Sequence, residues 1–151
     1  MSTAGTIREI LHHKGGTTWT VTPETTVFDA IKLMAEKNIG ALLVLKQNRL
    51  AGIISERDYT RKVVLLGRSS KDTLVNQILS GEVVQVTPEH TVDQCLRLMT
   101  EHRVRHLPVL DGNNIVGIIS IGDLVNHVIN TQQSTIHQLE TYITGFPTPP
   151  A

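Results

Sequence analysis

The chain has 151 residues, 40% of them apolar, and its 14 basic residues balance 14 acidic ones. That length and composition suffice for one compact domain, or two small interlocked ones, with a sizeable core. A formal net charge of zero argues against a broad electrostatic surface for nucleic acid or an anionic membrane.

The N-terminal segment "TIREILHH" has the apolar spacing of a short amphipathic helix. It precedes an internal repeat, in which residues 21–64 align with residues 86–129 at a constant shift of 65 without a gap. About 19 of the 44 aligned positions are identical. The period exceeds that of common solenoids, and we therefore expect the two copies to form a closed pair rather than an open array.

The first helix of each copy is predicted from its cap and its apolar spacing. In the first copy Thr26 precedes apolar residues at i, i+3, i+4 and i+7, and Asp29 follows the threonine by three positions. In the second copy Thr91 and Gln94 take these places. Cys95 falls at a small core position of that helix, which we favour over a reactive thiol because no basic residue stands beside it.

Two short apolar runs follow each helix, "ALLVL" and "LAGIIS" in the first copy, "HLPVL" and "IVGIIS" in the second. Their β-branched content and the turn residues between them predict a hairpin in each copy. A second helix follows each hairpin, "ERDYTRKVVLL" or "IGDLVNHVI", so each copy has the order strand, helix, strand, strand, helix. The segment "TIHQLETYI" is predicted as a separate amphipathic helix, and "GFPTPPA" as a frayed tail.

This duplicated order, with "VTPE" before the first helix and "GIIS" separated by two residues from an aspartate, resembles a tandem pair of CBS domains, the Bateman module. The resemblance extends from about Ile7 to Leu139, and "SERDYTRKV" and "LETYITG" are similar to small stand-alone bacterial modules. It implies an α/β (α+β) fold in which two β-α-β-β-α motifs pack as a pseudo-two-fold pair. The motifs would span residues 7–68 and 73–139, followed by a tail at 140–151.

The resemblance also implies a function. Bateman modules are regulatory and non-catalytic, and they bind adenosyl ligands such as AMP, ADP, ATP, NAD(H) or S-adenosylmethionine. The chain is therefore expected to sense energy or redox state and to act on a protein still to be identified.

A serine three residues before an aspartate follows the hairpin of each copy, as Ser55 with Asp58 and as Ser120 with Asp123. A helix capping box explains either pair by itself. The start of a helix also suits a phosphate, and a carboxylate one turn in can accept hydrogen bonds from ribose hydroxyls. The pair has that ribose role in the family, so the resemblance implies nucleotide binding, with capping as a compatible second role.

The resemblance carries over to further positions. Backbone and apolar residues of the opening strands and hairpins would hold adenine: Thr20 and Val21 with Ile118, and Val84 and Val86 with Ile53. Segments before the hairpins and nearby cations would face phosphates: Gly40, Ala41, Arg105, His106, Arg57 and Lys14. A solvated surface charge stays open as an alternative for Arg57 and Lys14, and His13 is the only other histidine with a candidate ligand role.

The two copies differ where the two sites should differ. Gly122 takes the place of Arg57 beside the aspartate, and Lys14 joins the second site if the leader helix folds over it. The sites are therefore predicted to be inequivalent. An imidazole near a phosphate gains charge as the pH falls toward ~6.5, so His106 is expected to make binding at one site depend on pH.

Assembly is predicted from an apolar stripe. Tyr59, Val63 and Leu66 recur at i, i+4 and i+7 beyond what one core requires. Because Bateman modules commonly pair through such helices, we expect a homodimer.

Other function classes stay open. No nucleophile with a base, metal cluster or Walker-type loop is recognisable, which argues against an enzyme. A nucleic-acid-binding CBS protein, or a regulatory subunit of an unidentified enzyme, is an alternative reading, although neutral charge and five aromatic residues argue against nucleic acid.

The number of cysteines and the lengths of the apolar runs indicate the expected cellular location of the protein. The single cysteine excludes an internal disulfide, and no Cys/His spacing is typical of a structural zinc site. The first ten residues lack the basic and apolar segments of a secretory signal, and no apolar run approaches the ~20 residues of a membrane span. These features predict a soluble, cytoplasmic protein without a membrane partner.

Overall fold

The computed structural model describes residues 5–15, 18–79 and 83–144. The chain forms two compact units. Unit 1 comprises residues 1–15, 88–107 and 119–151, and unit 2 comprises residues 16–87 and 108–118. The described ranges contain five α-helices and two small sheets, which confirms the predicted mixed fold.

Unit 2 is built on a three-stranded sheet with the order β1-β2-β3. Strand β1 (Thr20–Val21) pairs parallel with β2 (Ala41–Lys46), which pairs antiparallel with β3 (Arg49–Ser55). Helix α2 (Val27–Lys37) makes the crossover that a parallel pair requires. Its apolar face contributes to a buried core made of Val27, Ala30, Met34, Leu42, Val44, Ile54, Val63, Val75 and Ile78.

The segment after β3 departs from the prediction of one regular helix. Helix α3 spans only Glu56–Tyr59 and continues as a π-helical turn over Thr60–Val64. Val63 lies in the core with 1% of its surface exposed, so the predicted exposed stripe through this residue is wrong. The exposed apolar side chains are instead those that end the segment: Val64, Leu65 and Leu66.

Both predicted hairpins are present. Gln47 and Asn48 join β2 to β3 with φ values of 53° and 63°, the left-handed pair of a type I′ turn. Strands β4 (His106–Asp111) and β5 (Asn114–Ser120) form the second sheet. Gly112, with φ of 63°, begins their two-residue connection.

The strand predicted to open the second copy is reduced to one bridge. Val86 pairs in parallel with Val109, donating its N–H to Pro108 O at 3.0 Å and accepting from Leu110 N at 2.9 Å. Val84 lies outside any strand. The first copy has Leu43 where this copy has Pro108, and a proline has no N–H with which to extend the ladder.

Unit 1 is mainly helical, with α1 (Ile7–Lys14), α4 (Val92–His102) and α5 (Ile121–Thr144). Its buried apolar side chains are Ile7, Ile10, Val92, Cys95, Met99, Leu107, Ile119 and Leu124. Cys95 is fully buried, which confirms the predicted core position, and this burial raises the pKa of its thiol to about 11.

Helix α5 is one continuous helix of 24 residues, so the prediction of a separate helix at "TIHQLETYI" is wrong. The polar stretch "NTQQS" before that segment contains neither glycine nor proline, and nothing in it stops a helix. The tail "GFPTPPA", predicted to fray, lies outside the described residues.

One face of α5 is apolar and exposed. Its side chains are between 41% and 56% exposed and comprise Ile121, Val125, Ile129, Ile136 and Leu139. They recur along the whole helix at spacings that keep them on one side. Within the described ranges, no helix combines the length and apolarity needed to cross a bilayer.

Candidate functional site

Both Ser-x-x-Asp pairs form reciprocal capping arrangements. Ser120 N–H donates to Asp123 Oδ2 at 2.9 Å, and Asp123 N–H donates to Ser120 Oγ at 3.1 Å. In unit 2, Ser55 N–H donates to Asp58 Oδ2 at 2.9 Å, and Asp58 N–H donates to Ser55 Oγ at 3.3 Å. Each carboxylate is thus fixed in the first turn of its helix with acceptor capacity for further donors.

Lys14, the last residue of α1, reaches the carboxylate of Asp123. Its Nζ lies 2.9 Å from Asp123 Oδ2, although the two residues are 109 positions apart in the sequence. Burial tends to raise the pKa of Asp123, but the Ser120 N–H and the Lys14 ammonium outweigh it and hold that pKa below its usual value. Asp123 is therefore an ionised acceptor at neutral pH.

The Arg105–His106 segment lies beside the same helix start, since Ile121 N–H donates to Arg105 O at 2.8 Å. Burial lowers the pKa of His106 and the Lys14 ammonium lowers it further, while Asp123 opposes them. The imidazole is therefore neutral at pH 7. The expectation that His106 makes nucleotide binding depend on pH stays a prediction, and without ligand the imidazole gains its proton only in a solution more acidic than its usual pKa implies.

A cleft of about 600 Å³ opens from Asp123 between α1 and α5. Its lining includes His13 and Lys14 of α1, and Asp123, Asn126, His127 and Asn130 of α5. The last three of these residues were not predicted from the sequence. They follow Asp123 at i+3, i+4 and i+7 on the polar side of an amphipathic helix, and that polar spacing was the available signal.

In unit 2, several predicted site residues lie where β2 begins and β3 ends. Ala41 pairs with Ser55 across the two strands. Glu56 N–H donates to Gly40 O at 3.1 Å, which fixes the start of α3 against the residue before β2. The backbone of this segment and the serine cap thus meet at one edge of the sheet.

Asp58 also faces a lysine, but one from its own helical segment. Lys62 Nζ lies 3.4 Å from Asp58 Oδ1 and donates to Ile78 O at 2.9 Å. Ser55 Oγ donates to Asp58 Oδ2 at 3.0 Å in addition to the backbone bond. The carboxylate of Asp58 is therefore held by local partners.

The structure divides the predicted site residues between the units. Unit 1 brings together Lys14, Arg105, His106, Ser120 and Asp123. Unit 2 holds the others: Thr20, Val21, Gly40, Ala41, Ile53, Ser55, Arg57, Asp58, Val84, Val86 and Ile118. Among the residues that the structure describes, no group of three or more His, Cys, Asp or Glu side chains is placed to hold a metal ion.

The strand residues predicted to contact adenine flank β2. Thr20 pairs with Leu43 and Val21 with Val44 on one side, and Ile53 pairs with Leu43 on the other. Their role in adenine binding stays a prediction.

The comparisons with known proteins cover most of the chain. The CBS domain family model matches residues 17–65 and 75–130. CBS domain-containing protein CBSX3, mitochondrial, from Arabidopsis thaliana is 42% identical in an alignment of length 149 that covers 93% of this chain and 72% of that relative.

Solved structures give the same result. A protein described as a signal-transduction protein with CBS domains, from Burkholderia ambifaria, has a TM-score of 0.81 at 56% identity, covering 85% of this chain and 97% of its own. A hexameric CBS-CP12 protein from bloom-forming cyanobacteria has a TM-score of 0.73 at 32% identity, covering 82% of this chain and 71% of its own. Since the family model matches more than half of the residues and these relatives cover most of them, this chain belongs to the CBS-domain family.

Proposed function

We propose that this protein is a regulatory module that binds adenine nucleotides, one at the carboxylate of Asp123 and one at that of Asp58. The observation that carries the proposal is the environment of Asp123. Its carboxylate is kept ionised at a helix start, a lysine ammonium lies 2.9 Å away, and a cleft opens beside it. A carboxylate accepts from ribose hydroxyls, and an ammonium with helix N–H groups suits a phosphate.

The candidate ligands share the adenosyl group and differ beyond the ribose. They are AMP, ADP, ATP, NAD(H) and S-adenosylmethionine, the ligands that the family resemblance implies. The backbone of the opening strands, Thr20–Val21 and Val84–Val86, and the half-buried Ile53 and Ile118 are proposed to hold the adenine ring.

We propose that the bound nucleotide is sensed and not consumed. CBS-domain proteins are generally regulatory. The thiol of Cys95 is buried, and its pKa of about 11 keeps it protonated, which disfavours a nucleophilic role. The regulated partner, a cytoplasmic location and the absence of nucleic-acid binding stay predictions, and one relative of the chain is named as mitochondrial.

We further propose that the protein assembles as a homodimer through the exposed apolar face of α5. Five exposed apolar side chains on one side of a 24-residue helix form the kind of apolar face that marks a protein interface. A relative in the same family is described as hexameric. A two-fold pair is the simplest symmetric way to cover such a face.

The nucleotide sites are tested by Asp123→Ala and Asp58→Ala. Loss of hydrogen bonds to a charged acceptor should weaken one site in each variant by about 1.5–3 kcal/mol. Titration calorimetry with AMP, ATP and NAD+ measures the affinity and the number of sites.

Matched variants separate ligand binding from capping. Gln94 occupies the third position of the α4 capping box, and Asp29 follows the Thr26 cap of α2 at the same position. Gln94→Ala should therefore cost stability without changing affinity. Asp29 bonds Thr26 through its backbone N–H, which an alanine keeps, so Asp29→Ala should leave both the cap and the affinity unchanged. Unchanged affinity and stoichiometry in both aspartate variants would leave capping as their only role.

A further inference from the structure

We infer that the α1–α5 cleft receives the part of the ligand beyond its first phosphate, and that this part is the second nucleoside of a dinucleotide. The inference rests on the proposed function, because it takes a ribose at Asp123 as its starting point. It goes further in choosing one chemical class among the adenosyl ligands.

The cleft is longer than a nucleoside monophosphate requires. On α5 it runs from Asp123 to Ser134, which at 1.5 Å per residue corresponds to roughly 16 Å. Its volume of about 600 Å³ lies within the usual range of about 300–1,000 Å³ for small-molecule sites. A single phosphate beside Lys14 would occupy only the first part of it.

The chemistry of the lining changes along the cleft. The end at Asp123 carries the ammonium of Lys14 and the imidazole of His13, which suit the negative charge of a diphosphate. The far end is lined by the neutral amide and hydroxyl groups of Asn130, Thr131 and Ser134. These groups match the hydroxyls of a second ribose, whereas the terminal oxygens of a triphosphate call for cations.

The imidazole of His127 lies between the two ends of the cleft, and Gly5 packs against it. Gly5 packs so closely against this ring that a β-carbon there would overlap His127 Nε2 and lie 3.4 Å from Glu9 Oε2. With φ of 128°, Gly5 adopts a backbone conformation that other residues rarely reach. Gly5, which precedes α1, thus restricts the imidazole of His127. A dinucleotide that extends along the cleft would lie beside this imidazole.

Binding would also change the partner of Lys14. The ammonium that now pairs with Asp123 belongs to a lysine that lines the cleft, where it can meet a diphosphate. Because 37% of the Lys14 side chain is exposed, the pair is of the weak, solvent-screened kind that a multiply charged ligand can replace. Asp123 would then be released to accept from the ribose.

The inference is tested by calorimetry with AMP, ATP and NAD+ on the full chain and on Asn130→Leu. The substitution removes an amide from the far end of the cleft and should weaken NAD+ binding tenfold or more while AMP changes less than twofold. Gln133→Leu is the matched control, since Gln133 is exposed on the same helix and does not line the cleft. It should leave both affinities unchanged.

Imidazole NMR signals of the unsubstituted protein give a second, local readout. NAD+ should shift the signals of both His106 and His127, and AMP should shift that of His106 alone. A His127 signal that ignores NAD+ would overturn the inference, as would ATP bound more tightly than NAD+ and weakened by Asn130→Leu.

The failure of the inference is distinguishable from that of the proposed function. Binding of AMP together with an NAD+ affinity that Asn130→Leu leaves unchanged would overturn the dinucleotide inference alone. A chain that binds none of the three nucleotides would overturn the proposed function, and the inference with it.

Discussion

His106 illustrates how neighbouring residues set the charge of the unit 1 site. Burial and the ammonium of Lys14 lower the pKa of its imidazole, and Asp123 only partly offsets them. The unfolded chain therefore binds the His106 proton more readily than the folded chain. The stability that this group contributes is complete above about pH 6.5 and is lost as the pH falls from there through the lowered pKa.

We predict that His106→Gln flattens the decline in unfolding free energy between about pH 6.5 and 5. Urea denaturation of both proteins across this range measures the effect. Asp123 does not contribute to the slope there, because its own pKa lies below the usual carboxyl value. An identical slope in the two proteins would show that His106 is not the titrating group.

At the level of single elements, the two hairpins have two-residue turns of different types, since both central residues of the first turn but only Gly112 of the second have positive φ. Gln47 and Asn48 both hold positive φ angles without being glycine, whereas the second hairpin has Gly112 in that conformation. The left-handed conformation costs most L-residues about 1–2 kcal/mol. The first turn therefore costs more conformational free energy than it would with glycine at a positive-φ position.

The double substitution Gln47→Asn with Asn48→Gly should raise the unfolding free energy by roughly 1 kcal/mol, since Asn-Gly is preferred in type I′ turns. The reverse change in the second hairpin, Gly112→Ala, should lower it by a similar amount. Urea denaturation measures both. A loss of stability in the first variant would contradict the turn type assigned here.

The apolar face of α5 leads to a prediction about assembly. Ile129→Lys combined with Ile136→Lys places two charges on that face and should convert a dimer into single chains. Gln133→Lys adds a charge elsewhere on the same helix and should leave the dimer intact. Light scattering at micromolar concentration gives the mass of each protein, and a single-chain mass for the unsubstituted protein would refute the proposed dimer.

Local patterns predicted most elements but not their irregularities. The caps at Thr26 and Thr91 form as expected, because capping depends on residues three positions apart. The predicted break in α5 is absent, because polar residues on the exposed surface of a helix do not end the helix. The π-helical turn was missed because its one-residue change of register has no counterpart in a 3.6-residue pattern.

Across the whole molecule, the two aspartates share their caps but not their cations. Asp58 faces Lys62 of its own segment and stands next to Arg57, whereas Asp123 faces Lys14 of α1 and stands next to Gly122. We therefore predict affinities that differ tenfold or more, or about 1.4 kcal/mol, for at least one adenine nucleotide.

Arg57→Ala should weaken binding at one of the two sites, and Lys14→Met should weaken binding at the other. Calorimetric titrations with AMP, ATP and NAD+ resolve the two affinities. Isotherms that fit two identical, independent sites for all three nucleotides would contradict this asymmetry.

The repeat predicted the family and the fold, because a gapless match over 44 positions constrains every element within it. The repeat alone does not contain the Lys14–Asp123 pair, since the two residues are 109 positions apart and Lys14 precedes the repeat. The sequence placed Lys14 at this site only on the condition that the leader helix folds over it. The cleft was missed for a related reason. A cavity between α1 and α5 depends on how two helices pack, and no local spacing encodes that packing.

Lys14 belongs to a segment that the internal duplication did not copy, and this has an evolutionary consequence. Changes inside the repeat alter a residue that has a counterpart in the other copy, whereas a change at Lys14 acts on the Asp123 environment through a residue that has none. The Asp123 environment can therefore change independently of the duplicated sequence. Exchanging the leader between relatives is accordingly expected to alter ligand binding at the proposed Asp123 site through Lys14.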